Sequence, residues 1–175
     1  IYQCDWSSDV CSSDLIVSVV DGATGLPTAY LYENRPDRRV RQSAYLDNKF
    51  SLGDHTLEVS GRYFWDSWGI HAITAEASDR YDLSDRFYLQ PNVRWYHQGA
   101  ASFYRYFLVS AAALPQYVSS DTRLGKFSAM TYGMKLGVAV GESSEFSLLG
   151  QYYRQSGDGH PSVAVGQLTQ QNLFP

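Results

Sequence analysis

The chain has 175 residues, enough for one domain with a sizeable core. Aromatics make up 15% of it and charged residues only 18%, and a net charge of -4 lacks the basic stripe that general nucleic-acid binders carry. Mean hydropathy is -0.31 and no apolar run reaches the ~18 residues of a spanning helix, which excludes helical spans but leaves spanning strands open.

In chain order, the first stretch sets itself apart. Asp5 to Leu15 reads DWSSDVCSSDL, which resembles throughout the translation of a sequencing-library adapter. Residues 1–15 are therefore read as a non-native segment and residues 16–175 as the domain. Cys4 and Cys11 fall in that segment, and two cysteines without a His/Cys partner set do not make a zinc site. The rest of the chain has no cysteine, which suits an oxidising periplasm and equally suits many cytosolic domains.

Ile16 to Val20 is a short apolar run, read as the end of a strand. Asp21 to Arg39 is rich in Gly, Pro, Asp and Arg and predicts a long loop. A period of two then begins. Over 43–52, Ala44, Leu46, Phe50 and Leu52 alternate with Ser43, Tyr45, Asp47, Lys49 and Ser51, and Gly53-Asp54 predicts a tight turn. Over 56–66, Leu57, Val59, Tyr63 and Trp65 oppose Glu58, Ser60, Arg62 and Asp66. Ser67-Trp68-Gly69 links to a strand over 70–81, where Ile73, Ala75 and Ala77 oppose Thr74, Glu76, Ser78 and Arg80. Asp82 to Asp85 turns the chain into 86–98, where Phe87, Leu89, Val93 and Trp95 oppose Tyr88, Gln90, Asn92, Arg94 and Tyr96.

Gly99 to Lys126 is too long for a hairpin and is dense in aromatics, with Arg105 and Arg123 among them. Strand signal returns over 127–140 and 145–155, joined by a turn at Gly141 to Ser144. The result is an all-β class with about six strands of ~9–13 residues, the length that crosses a bilayer at a tilt of ~45°. An antiparallel up-and-down transmembrane β-barrel, here partial, fits best. The connections near 53, 83 and 142 are short and fall on one side, while those at 21–39, 99–126 and 156–175 are long, with 67–69 the exception. Outer-membrane barrels sort their loops this way. The aromatics sort too. Tyr63, Trp65, Trp68, Trp95, Phe127 and Tyr152 fall near the outer strand ends and predict a girdle at the headgroup level; Phe50, Tyr81, Phe87 and Phe146 fall near the turn ends.

In a barrel the lumen face would carry Asp47, Lys49, Glu58, Arg62, Glu76, Arg80, Arg94 and Lys135. The plain expectation is a network of mutually satisfied ion pairs that fixes strand register. The sharper one is a polar pore or pocket whose lining selects solutes. In a soluble sandwich the apolar face would instead pack on a second sheet.

YLYENRPDRRVR at 30–41, GRYFWDSWGIHAITAE at 61–76, PNVRWYHQGAASFY at 91–104 and SSDTRLGKFSAMTYGMKLG at 119–137 carry a family resemblance. Together they resemble the C-terminal part of a bacterial family catalogued as domain of unknown function 3570, whose members are similar to one another as outer-membrane β-barrels of Gram-negative bacteria. The resemblance implies location in the bacterial outer membrane, with the lipid bilayer and the missing N-terminal strands of the same barrel as partners. It also implies that the chain lacks the family's N-terminal half, including an export signal, and stops before a last strand. The family has no established activity, so it carries over no functional residues.

Other chemistry is weakly marked. Ser67, His71, His97 and Asp66 could on paper supply a nucleophile, base and orienter, and each reads more simply as a polar rim residue. Gly157-Asp158-Gly159 and Asp21-Gly22 resemble calcium-binding loops without the ligand count. No catalytic, cofactor or metal residue, no small-molecule ligand and no nucleic-acid partner is assigned. The expected role is that of an outer-membrane β-barrel protein acting in structure, as a pore or in surface binding. The alternatives are a soluble all-β module that binds carbohydrate through the aromatic loop and, less favoured, an outer-membrane enzyme.

Overall fold

The computed structural model describes residues 16–110, 112–140 and 144–157. The adapter-like segment with Cys4 and Cys11 lies outside these residues, as do 141–143 and the tail from 158. The described chain is all-β. It holds a six-stranded antiparallel sheet in the order β3 (Arg41–Leu52), β4 (His55–Asp66), β5 (His71–Asp82), β6 (Phe87–Gln98), β8 (Phe127–Val140) and β9 (Ser144–Gly157). A second, three-stranded sheet runs in the order β2 (Pro27–Tyr32), β1 (Ile16–Val20), β7 (Phe107–Val109). Among the described residues there is no α-helix, only a 3-10 turn at Thr122–Leu124.

The six long strands sit where the period of two places them, each bound moved by at most two residues. Consecutive strands pair as neighbours throughout the large sheet. Gly53 takes φ +61 at the first central position of the two-residue β3–β4 connection, as a type II′ turn requires. Register is continuous along β3–β4, β6–β8 and β8–β9. It lapses in β5–β6, between Ser78↔Asn92 and Tyr81↔Leu89. Pro91 lies in the gap, and a proline has no N–H to give the ladder.

Two expected loops contain strands. Residues 21–39 include β2, paired antiparallel with β1, and 99–126 include β7, paired parallel with β1. The small sheet and the long connection build a cap on one end of the large one. Its core is Trp68, Ile70, Ala101, Phe103, Tyr104 and Leu124, with Phe64 and Tyr106 packed against it. The sheet is open: β3 and β9 stand at its two edges, and among the described residues they do not pair with each other.

Candidate functional site

Alternation sends the polar side chains of the six strands to one face. Register sets Tyr45, Arg62, Thr74, Tyr96, Ala129 and Gln155 in one row and Asp47, Ser60, Glu76, Arg94, Thr131 and Tyr153 in the next. Lys49 and Glu58 follow, then Arg80 and Lys135. All eight residues expected on a lumen share this face. Among the described residues no two of the eight are ion-paired with each other; Arg80 Nε meets Asp82 at 2.9 Å and Lys135 Nζ meets Glu145 at 3.7 Å.

Concavities mark the face. Ser43, Tyr45, Ser60, Arg62, Thr74, Glu76 and Arg94 line an open groove of about 270 Å³. Near the turn end a larger one, about 480 Å³, is lined by Asp54, Arg80, Asp82, Arg86, Tyr88, Glu145 and their neighbours. Tyr88 is its centre and is 4% exposed. The Arg80 guanidinium lies 3.7 Å from the centre of its ring, Lys135 Nζ lies 5.3 Å away, and its hydroxyl donates to Glu145. Gly137 faces Tyr88 in register, and a Cβ there would overlap the ring; Gly133 stands in the same relation to Asn92. These glycines let polar side chains lie flat across β8.

The cap closes the outer end of this face. Ala72, Gln98 and Ala129 are buried at this end. The Gln98 amide donates to the carbonyls of Arg123 and Gly125 at 2.9 and 3.0 Å. Asp121 accepts from Arg35 at 3.0 Å and from Arg123 at 2.7 Å, Arg35 also meets Glu33 at 2.7 Å, and Ser119 donates to Glu33. Burial pushes the Asp121 carboxyl up, but the hydrogen bonds from Arg123 and the charge of Arg35 outweigh it and hold the group below the usual carboxylate range. Burial pushes the Tyr104 phenol up, and its hydrogen bond with Tyr106 adds to the effect. Phe103 and Tyr104 are buried and Arg105 donates to the carbonyls of Ser102 and Tyr104, so the loop folds on its own aromatic core.

The opposite face is largely apolar and open, though His55, His71, Asp79, His97 and Arg154 also lie on it. Val59, Ile73, Val93, Tyr132, Leu136, Phe146 and Leu148 are all exposed on it. Of the expected girdle, Tyr63, Trp65 and Trp95 lie on this face toward the capped end, with Tyr63 stacked on Trp65 and Trp95 on His97. Tyr152 also lies on it, at mid-sheet in the row of Val93 and Tyr132. Trp68 and Phe127 do not. Trp68 is 3% exposed in the cap, edge-on to Phe103, with the Arg39 guanidinium 4.4 Å from its ring and its indole N–H donating to Arg38. Phe127 pairs with Gln98 on the polar face and packs against Tyr96. A hairpin-tip tryptophan reads alike in sequence whether it turns outward or folds under a cap.

The expected nucleophile set does not converge. Asp66 accepts from Arg39 and from the backbone of Trp68 and Ile70, Ser67 from Val40, His71 meets the Tyr63 hydroxyl and His97 meets Ser128. His55 meets Asp79 at 2.9 Å, and His160 lies outside the described residues. Asp21 Oδ1 accepts from the backbone and hydroxyl of Thr24 and from the backbone of Ala23, which hold its carboxyl below the usual range. Asp158 and Gly159 are likewise outside the described residues. Among the described residues no group of three or more His, Cys, Asp or Glu could hold a metal ion.

Sequence reasoning put Tyr88, Ser43, Tyr45, Ser60 and Thr74 on the polar face but did not single them out. Their importance depends on register, which pairs Tyr88 with a glycine and lines the hydroxyls up beside Arg62 and Arg94. The cap pairs Glu33–Arg35 and Asp121–Arg123 carried no periodic signal. A family model described as Protein of unknown function (DUF3570) matches residues 12–175. No curated protein and no solved structure matches the chain.

Proposed function

The chain belongs to the family described as Protein of unknown function (DUF3570), and from that premise we propose that it forms part of an outer-membrane β-barrel whose polar face lines a lumen. One observation carries the reading: the apolar face of the six-stranded sheet is left uncovered. Leu136 is 51% exposed and Phe146 66%, while Tyr88 on the polar side is 4% exposed. A large exposed apolar surface marks a site of membrane or protein contact, and alternation of apolar-out with polar-in is the pattern of a spanning barrel. The strand lengths agree. Twelve to fourteen residues at ~3.4 Å each and a ~45° tilt cross about 29–34 Å, close to the ~30 Å hydrocarbon core. The open edges β3 and β9 would be met by further strands of the same barrel, and the cap would sit in one mouth.

Tryptophan quenching by brominated lipid tests this. In the chain reconstituted into bilayers, variants retaining only Trp65 or only Trp95 should be quenched strongly, and one retaining only Trp68 should not. Equal quenching of none of them would sink the proposal.

A further inference from the structure

The groove lined by Arg62 and Arg94 has charge left over. Arg62 and Arg94 both reach it, with Glu76 as its single carboxylate and Ser43, Ser60, Thr74 and Tyr45 as its hydroxyls. Arg94 stands directly opposite Glu76 in register, yet among the described residues the two are not ion-paired. Arg62 makes one long contact, to the Ser43 hydroxyl at 3.4 Å. Both arginines are exposed, whereas Arg80 and Lys135 on this face reach carboxylates and the Tyr88 ring near the turn end. Two unsatisfied guanidiniums beside a line of hydroxyls are a donor array with little to accept from it.

We infer that this groove binds a small oxyanion, a phosphate- or carboxylate-bearing solute, held by the guanidiniums of Arg62 and Arg94 and by the hydroxyls of Ser43, Ser60 and Thr74. The inference rests on the lumen reading above and names the class of solute that the lumen takes. The chemistry follows from the side chains. A guanidinium presents its N–H groups in a planar fork that matches two oxygens of a phosphate or carboxylate, and rings of arginine are the usual lining of anion-selective pores. Glu76 leaves the groove lining with one net positive charge, weakens its hold on an anion and offers an acceptor to any hydroxyl the solute carries. The groove lies toward the capped end of the face, one row from Gln98, whose amide donates to the cap carbonyls of Arg123 and Gly125.

The test uses the chain reconstituted into bilayers at constant ionic strength, with inorganic phosphate, acetate and chloride as separate probes. Binding is read by ³¹P line broadening for phosphate and by competition with it for the other two. Phosphate should bind, acetate should compete, and chloride should compete at least about tenfold more weakly, because it cannot span the fork. Arg62→Gln/Arg94→Gln should weaken phosphate by at least about tenfold, and Glu76→Gln should tighten it. Insertion is read independently by brominated-lipid quenching of Trp95. Quenching without phosphate binding, or binding unchanged in the double variant, overturns the oxyanion site alone. Loss of quenching overturns the lumen reading and this inference with it. If the double variant fails to insert, Glu76→Gln decides: no gain in phosphate binding overturns the site.

Discussion

At the scale of single residues, small side chains decide where large polar ones can lie. A Cβ at Gly137 would overlap the Tyr88 ring, and one at Gly133 would overlap the Asn92 amide, whereas Gly61 and Gly150 face open space. Gly137→Ala should therefore displace Tyr88 from beneath Arg80 and destabilise the fold by about 1–3 kcal/mol. Gly150→Ala should lie within about 0.5 kcal/mol of the parent. Urea unfolding of lipid-reconstituted protein measures both, and equal effects at the two glycines would refute the packing argument. Asp121 supports a second prediction. Its carboxyl is held below the unfolded value of ~3.9, so its contribution to the cap is complete above that pH and is lost as pH falls through the folded value. Hydrogen exchange at Leu124 and Gly125, whose amides bond back to Asp121 and Thr122, should speed up relative to the rest of the cap below about pH 4. Asp121→Asn should show no such pH-linked loss. The charged residues of the polar face could be read from alternation alone. Their partners could not, because pairing depends on register between strands, and Tyr88 with Gly137 is visible only once β6 and β8 are aligned.

At the scale of elements, the contrast between the two sheets follows from length. Strands of twelve or more residues repeat their alternation five or six times, and the signal survives interruptions such as Asn48 and Pro91. β1, β2 and β7 have five, six and three residues, too few for a period to stand out, and β7 meets β1 in parallel across most of the chain. Loop-like composition also hid them, since β2 starts at Pro27 and runs between Gly- and Arg-rich stretches. The cap that these short strands help to form hangs on Trp68, so Trp68→Ala should cost about 3–5 kcal/mol of cap stability. Proteolysis should then cut within 99–126 while the six-stranded sheet resists. Uniform digestion of the whole chain would show instead that cap and sheet unfold as one unit.

At the scale of the whole molecule, the question is which solvent each face meets, and arginine scanning by depth answers it. On the apolar face Met134 pairs with Pro91 and Gly150, midway along β6 and β8 between the Trp95 row and the Phe87 end, and Phe146 lies at the Phe87 end. Both are well exposed, Met134 at 43% and Phe146 at 66%. If water covers this face, arginine at either site should change stability by no more than about 0.5 kcal/mol. If lipid covers it, the cost depends on depth, about 2–4 kcal/mol for Met134→Arg at the midplane and about 0–1 kcal/mol for Phe146→Arg near the interface. The same substitution on the polar face, at Thr131 in the row of Glu76 and Arg94, meets other solvated charges and should cost little in either case. Reversible unfolding from bilayers gives the three numbers. A steep Met134 cost beside small Phe146 and Thr131 costs fits only a sheet that crosses a membrane. A flat profile across the three sites would return the apolar face to water and leave its exposed Val, Leu, Phe and Tyr side chains in need of a protein partner.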